Sequence, residues 1–164
     1  MGEVARVGKL SRGSIYRHFG DKDSLIQGIF RRRQALFLNR TEAALEKLPT
    51  LVEKVTHTVV AGRKDIKEGI FASLAQTEPE TVASMYLDPA FYNRSVAFWP
   101  PHVEQAQAHG EIARDLDVSA ATDFVMRLAV SMTLFPHMGL KLTSSAQVRT
   151  YLERMLLCGL GKGH

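Results

Sequence analysis

The residues best suited to chemistry are crowded into the first quarter of the chain. Between Leu10 and Leu25 the sequence LSRGSIYRHFGDKDSL holds Ser11, Arg12, Ser14, Tyr16, Arg17, His18 and Lys22, seven hydrogen-bond donors or cations within a dozen residues. Such side chains suit a polyanion. Hydroxyls and imidazoles hold phosphate oxygens, arginine reads guanine through two parallel bonds, and lysine adds a point charge. Ser11 is a good N-cap for a short helix over 12–18, whose first amides can face phosphate. Arg12 then stands in the first turn, where the second helix of a helix-turn-helix meets base edges, and Gly13 removes bulk where backbone must approach the groove. Lys22 opposes the dipole at the start of the following helix, an unfavourable position that a bound anion would offset.

Charge follows the same division. Residues 1–40 carry nine Lys/Arg against three acids, a local balance of +6, whereas the other 124 residues sum to −2. A basic end on a near-neutral body predicts a polyanionic partner for the end and a different task for the body. A solvated charged surface is the plain alternative.

Stepping from those side chains to the elements that must hold them, the chain reads as all-α. Alternation bounded by turn residues is nowhere convincing, whereas 3.6-residue stripes recur. One or two helical turns are predicted over Glu3–Val7, ending near Gly8. Gly20 is placed to end the second short helix in a left-handed conformation. Asp21 caps a long helix of about 22–47 with the stripe Leu25, Ile26, Ile29, Phe30, Phe37, Ala44 and Leu48, closed by Pro49. Segments 50–61, 65–76 and 79–87 read as three shorter helices separated by Gly62 and the 77–79 break. A helix restarts at Asp88–Pro89 and runs to His109, broken or kinked at Pro100–Pro101. Residues 119–135 are apolar on nearly every side, which predicts burial against the chain itself or a partner. Ser144 and Gln147 make a capping box for a last helix, and 161–164 read as a frayed tail.

Residues 10–25 resemble the DNA-reading segment of the tetracycline-repressor (TetR) family of bacterial transcription regulators. Ser11, Gly13, Ser14, Ile15, Tyr16, His18, Phe19, Lys22, Asp23 and Leu25 fall in register with that segment, ten positions of sixteen. The resemblance implies that Ser14, Tyr16, His18 and Lys22 hold phosphates while Arg12, Gly13 and Arg17 face bases. It also implies an all-helical ligand-binding body and a homodimer through the last two long helices. Past residue 48 the likeness is one of architecture and small pieces such as HGEIARDLD at 109–117. Lys9 stands where the family has a turn glycine, and Gly8 where it has alanine. Met1 falls at the start of the family's second helix, so the helix-turn-helix head is expected to be truncated, lacking the first helix. The organisation implied is a partial helix-turn-helix DNA-binding domain at 1–46 and a ligand-binding and dimerisation domain at 47–164.

Within the body, residues 70–102 hold an unusual share of large side chains. Phe71, Leu74, Met85, Tyr86, Tyr92, Phe98, Trp99 and His102 are the candidate lining of an apolar effector cavity with a few polar anchors, the common form of a small-molecule site. His137 is a further candidate anchor. A packed helical core is the bland reading of each. The candidate dimer stripe is Ala121, Phe124, Leu128, Met132 and Phe135 with Val148, Tyr151, Leu152 and Met155, for which packing within the chain is the alternative. Two half-sites on DNA favour the dimer.

Other classes recede. At 164 residues the chain makes one domain, or one with an appendage, and a chain this long buries roughly 70% of its unfolded surface. A lone Cys158 cannot form an intrachain disulfide, which suits a reducing cytoplasm. No run approaches the ~20 apolar residues of a membrane span, so no membrane partner is expected. HExxH, CxxC and GxSxG are all missing, and GLGKG at 159–163 lacks the spacing of a phosphate loop. His102 and His109 lie seven apart without a supporting carboxylate or thiol set, so neither a metal nor another cofactor is expected, and no catalytic residue is assigned. The sequence therefore leads to a ligand-responsive DNA-binding regulator acting on double-stranded DNA, with a dimeric small-molecule-binding protein that has lost operator binding as the rival.

Overall fold

The structure is a computed structural model that describes residues 13, 17, 19–68, 70–135 and 139–160. Its regular elements are α-helices, and no strand occurs among the described residues. They are α1 (Lys22–Leu45), α2 (Leu51–Lys67), α3 (Ile70–Thr77), α4 (Pro79–Tyr86), α5 (Pro89–Val96), α6 (Pro100–Ala108), α7 (Val118–Leu134) and α8 (Ser145–Leu160). The chain forms two compact units that divide within α1, residues 1–36 and residues 37–164. The helix predicted over Glu3–Val7 lies outside the described residues, as does most of the one over 12–18.

In the first unit, Gly20 takes φ +76°, a left-handed value that a side chain would disfavour. Its neighbour Asp21 accepts the Ser24 amide at 2.7 Å and so caps α1. This bond, made to the ionised carboxylate, is the main reason the Asp21 pKa is lowered. Leu25, Ile26 and Phe30 are buried, on the stripe the sequence predicts. Gly28 leaves room for the Phe19 ring, which a methyl at Gly28 would meet at 3.0 Å.

The second unit is built around α2, which packs on α7 and α8 along its length and also touches α3 and α6. Val55, Val59, Val103, Val125, Val148, Leu152 and Leu156 are excluded from water at the centre, and Trp99 enters from the start of α6. The ends of α2 are held by side chains. Thr50 accepts the Glu53 amide at 3.2 Å, and the Glu111 carboxylate accepts the Leu51 and Val52 amides at 2.7 and 3.2 Å. Three free N–H groups of the first turn are thereby satisfied, two of them by an anion placed at the positive end of the dipole. From the last turns of α2, Arg63 donates to Met132 O near the end of α7 at 3.0 and 2.6 Å and also to Leu142 O in the segment before α8.

One sequence expectation changes and two are narrowed. Gly62 does not end a helix, since α2 runs through it to Lys67. Its missing side chain serves packing instead: a methyl there would sit 3.0 Å from Thr133 Cγ2. The Pro100–Pro101 pair, read as a break or a kink, is a break between two helices, with Pro100 opening α6. Finally, α7 is not buried all round within this chain: Phe124 and Arg127 are exposed while Ala121, Val125 and Ala129 point inward. By contrast the Ser144–Gln147 capping box forms as read, with Gln147 N to Ser144 Oγ at 3.2 Å and Ser144 N to Gln147 Oε1 at 3.0 Å.

Because Glu111 meets two amides at the buried start of α2 from about sixty residues away, Glu111→Ala is expected to lower unfolding free energy by about 1–2 kcal/mol. Urea titration followed by circular dichroism measures it, and a loss no larger than that of the exposed Lys64→Ala would refute the capping role.

Candidate functional site

Of the eight residues assigned to DNA, Gly13, Arg17 and Lys22 are described and all are exposed. Ser11, Arg12, Ser14, Tyr16 and His18 lie outside the described residues. What the structure adds is the frame at their C-terminal side: the left-handed Gly20, the Asp21 cap, and α1 carrying Lys22 in its first turn. The same helix exposes Arg31 and Arg32 one to three turns further on.

In the second unit, three of the proposed effector-site residues come together. Phe98 lies edge-on to Trp99 with centroids 5.4 Å apart, and His102 contacts both rings at 5.2 and 5.9 Å. Residues that sequence reasoning missed then extend His102 into a polar chain. Its Nδ1 lies 3.4 Å from Lys54 Nζ, and its Nε2 lies 3.3 Å from Glu42 Oε2. Lys54 also donates to Gln105 Oε1. An ammonium has no lone pair, so Nδ1 must accept from Lys54 and the ring proton must sit on Nε2, donating to Glu42. The contacts thus run in one direction, cation to imidazole to carboxylate, linking α2, α6 and α1.

Lys54 is only 3% exposed. Desolvating an ammonium costs on the order of several kcal/mol before partners compensate. A signal for it existed in the sequence: Lys54 follows Leu51 by three residues and precedes Val55, so it falls on the apolar stripe of α2. Glu42 and Gln105 carried no such signal, being ordinary polar residues on amphipathic helices.

The described neighbours of the other proposed lining residues are different ones. Met85 is buried in α4, and Leu74 is half-buried in α3. Phe71 belongs to α3. Tyr86 meets Phe91 edge-on at 5.2 Å. Tyr92 turns to α7, where its hydroxyl donates to Asp123; Arg127 donates to the same carboxylate at 2.5 Å and lies 5.6 Å over the Tyr92 ring. His137 is outside the described residues. His109 is exposed at the end of α6 while His102 is buried, so the two do not converge. Among the described residues no three metal-binding side chains are grouped.

The nine dimer-stripe residues divide by face. Ala121, Met132, Val148 and Leu152 are packed in the chain's own core. Phe124, Phe135 and Met155 are 40%, 54% and 51% exposed, and Leu128 and Tyr151 are half-buried between. Phe124 lies across Gly159 at 3.6 Å from the position of an added methyl, so α7 and α8 share this apolar face.

No helix among the described residues is long and apolar enough to cross a membrane. No protein-family model matches the chain, and no curated protein matches it.

Burial lowers the His102 pKa below its ordinary 6.5; Glu42 opposes that shift by charge and hydrogen bond, and Lys54 adds to it. The folded protein therefore keeps the ring neutral where the unfolded chain would already take up a proton. Its stabilising contribution is complete above about pH 6.5 and declines as the pH falls toward the lowered folded value. Between about pH 7.5 and about pH 5, wild-type stability should fall more steeply than that of His102→Gln. Parallel slopes in denaturant midpoints would show that the ring is not held neutral.

Proposed function

We propose that this chain is a ligand-responsive DNA-binding transcriptional regulator of the tetracycline-repressor type, a repressor that releases its operator when an apolar small molecule enters the helical body. The observation that carries the reading is the ten-position register of the segment 10–25. Supporting it are the Gly20–Asp21 junction that leads into α1 and the exposed cations Arg17, Lys22, Arg31 and Arg32. On this reading Ser14, Tyr16, His18 and Lys22 hold backbone phosphates, Ser11 caps the helix whose first amides face phosphate, and Arg12, Gly13 and Arg17 meet bases. The chain works in the cytoplasm as a homodimer, each copy placing one head in a half-site.

Continuity of α1 gives the reading a mechanical path. The helix begins in the basic unit and ends in the body, where Glu42 meets His102 and Arg40 pairs with Asp65 at 3.1 Å. An effector that binds one arrangement of the body more tightly shifts the dimer toward it, and with it the spacing of the two heads. The exposed apolar face of α7 and α8, with Phe124 and Met155, suits a twofold four-helix contact.

Fluorescence anisotropy with DNA from around its own gene, against random duplex, tests the DNA reading. Arg12→Ala is expected to relax specificity at one position per half-site, whereas Lys22→Ala should weaken every sequence alike and flatten the salt slope by about one unit. Equal, weak binding of wild type to both DNAs refutes operator recognition. Separately, a Phe124→Glu, Met155→Glu double variant should run as a monomer in light scattering after gel filtration, while wild type runs as a dimer. A monomeric wild type would remove the interface.

A further inference from the structure

Lys54 is the buried charge that the regulator reading leaves unexplained. Its ammonium has three N–H donors. The acceptors it meets, Gln105 Oε1 and His102 Nδ1, are both neutral. Among the described residues no carboxylate lies within ion-pair distance of Nζ, and the carboxylate of the cluster, Glu42, is across the imidazole on Nε2. Lysine is seldom buried to this degree unless it is paired. The cluster also has an apolar flank, since Phe98 and Trp99 both contact the His102 ring. The acceptor at Nζ, Gln105, belongs to an exposed residue, so the bond lies at the solvent side of the cluster.

We propose that Lys54 is the anion-recognising residue of the effector site, and that the effector is a monocarboxylate carried on an apolar or aromatic body. The carboxylate takes the place of the Gln105 amide at Nζ, exchanging a neutral acceptor for a charged one, which makes a shorter and stronger bond. The displaced Gln105 amide is hydrated at the surface, so the exchange costs only the modest net worth of its neutral bond to Lys54. His102 fixes the position of Nζ from the other side, and the apolar part of the ligand lies toward Phe98. A single ammonium with Glu42 close by favours one negative charge over a phosphate dianion. The inference rests on the effector-binding part of the proposed function and not on DNA recognition. Through His102 the occupied Lys54 acts on Glu42 of α1, which is where effector binding would reach the helix that starts in the basic unit.

Thermal unfolding of the full chain at fixed ionic strength, without DNA, is the test. Phenylacetate and octanoate are compared with phenylacetamide and octanamide, uncharged analogues of the same shape, and with inorganic phosphate. The carboxylates should raise the melting temperature by a few degrees and the amides and phosphate should not. In Lys54→Met, which keeps the apolar stem, the response should vanish while the ligand-free melting temperature stays level or rises. In Gln105→Ala, an exposed change that removes the competing acceptor, carboxylate binding should tighten several-fold. The proposal is overturned by equal shifts with acid and amide, by a larger shift with phosphate, by a carboxylate response that survives Lys54→Met, by a lower ligand-free melting temperature in that variant, or by no tightening in Gln105→Ala. A carboxylate that stabilises the chain through Lys54 yet leaves its DNA binding unchanged would instead defeat the regulator reading and leave the site standing.

Discussion

Helix α2 is enclosed by its neighbours, and enclosure is what the rest of the second unit must accommodate. A buried helix cannot leave the amides of its first turn to water, and α2 starts beside the core residues Leu51 and Val52. The Glu111 carboxylate meets both amides, so the loop between α6 and α7 has to come back to that point. Gly110 permits the reversal with φ +72°, Gln107 ties the loop through the Leu116 and Ala113 carbonyls, and Ala113 donates to Leu160 at the end of α8. One capping requirement thereby joins α2, α6 and α8. At the other end Arg63 does the same for α7 and the segment before α8.

Within this frame the polar chain Lys54–His102–Glu42 brings charge to an interior whose other buried polar residues, Thr41, Thr56, Ser95 and Thr122, are neutral. Each step is individually modest, at 3.3 or 3.4 Å, and its orientation follows from the chemistry of an ammonium that can only donate. The arrangement fixes the tautomer of His102 and gives α1 a polar attachment to the body besides its apolar contacts. Aromatic neighbours on one side and the exposed Gln105 on the other make it the place where a polar group and an apolar surface lie side by side near solvent. The Tyr92–Asp123–Arg127 group serves differently, joining α5 to the outer face of α7.

Features set by adjacent residues were readable from the sequence. The Ser144–Gln147 box, the left-handed Gly20 with Asp21 behind it, and the proline starts of α4, α5 and α6 all depend on a few neighbouring side chains. Features set by distant partners were not. Gly62 looks like a break by propensity, but close approach of Thr133 keeps the helix whole, a tertiary effect overriding a local one. Nothing near Glu111 marks it as the cap of a helix sixty residues earlier. In α7 the stripe lacked contrast: with apolar residues on nearly every side, periodicity could not tell that Ala121 faces inward and Phe124 outward. Phe98, Trp99 and His102 are close in sequence and lie together, whereas their approach to Lys54 of α2 and Glu42 of α1 depends on the fold.

The distant anchoring of α2 also has a consequence during synthesis. The helix is complete once Lys67 has been added, but the carbonyl of Leu142 that Arg63 holds lies seventy-nine residues beyond that arginine. At ~5–20 residues per second this segment takes roughly 4–16 s to make. For all of that interval α2 presents Val55 and Val59 without α8 over its surface, and for the earlier part of it also without Glu111 at its start and α7 beside it. A nascent chain of this protein therefore passes through a stage in which a helix enclosed in the finished fold lies open, and stalling between residues 70 and 140 would leave its apolar side to whatever holds unfinished chains.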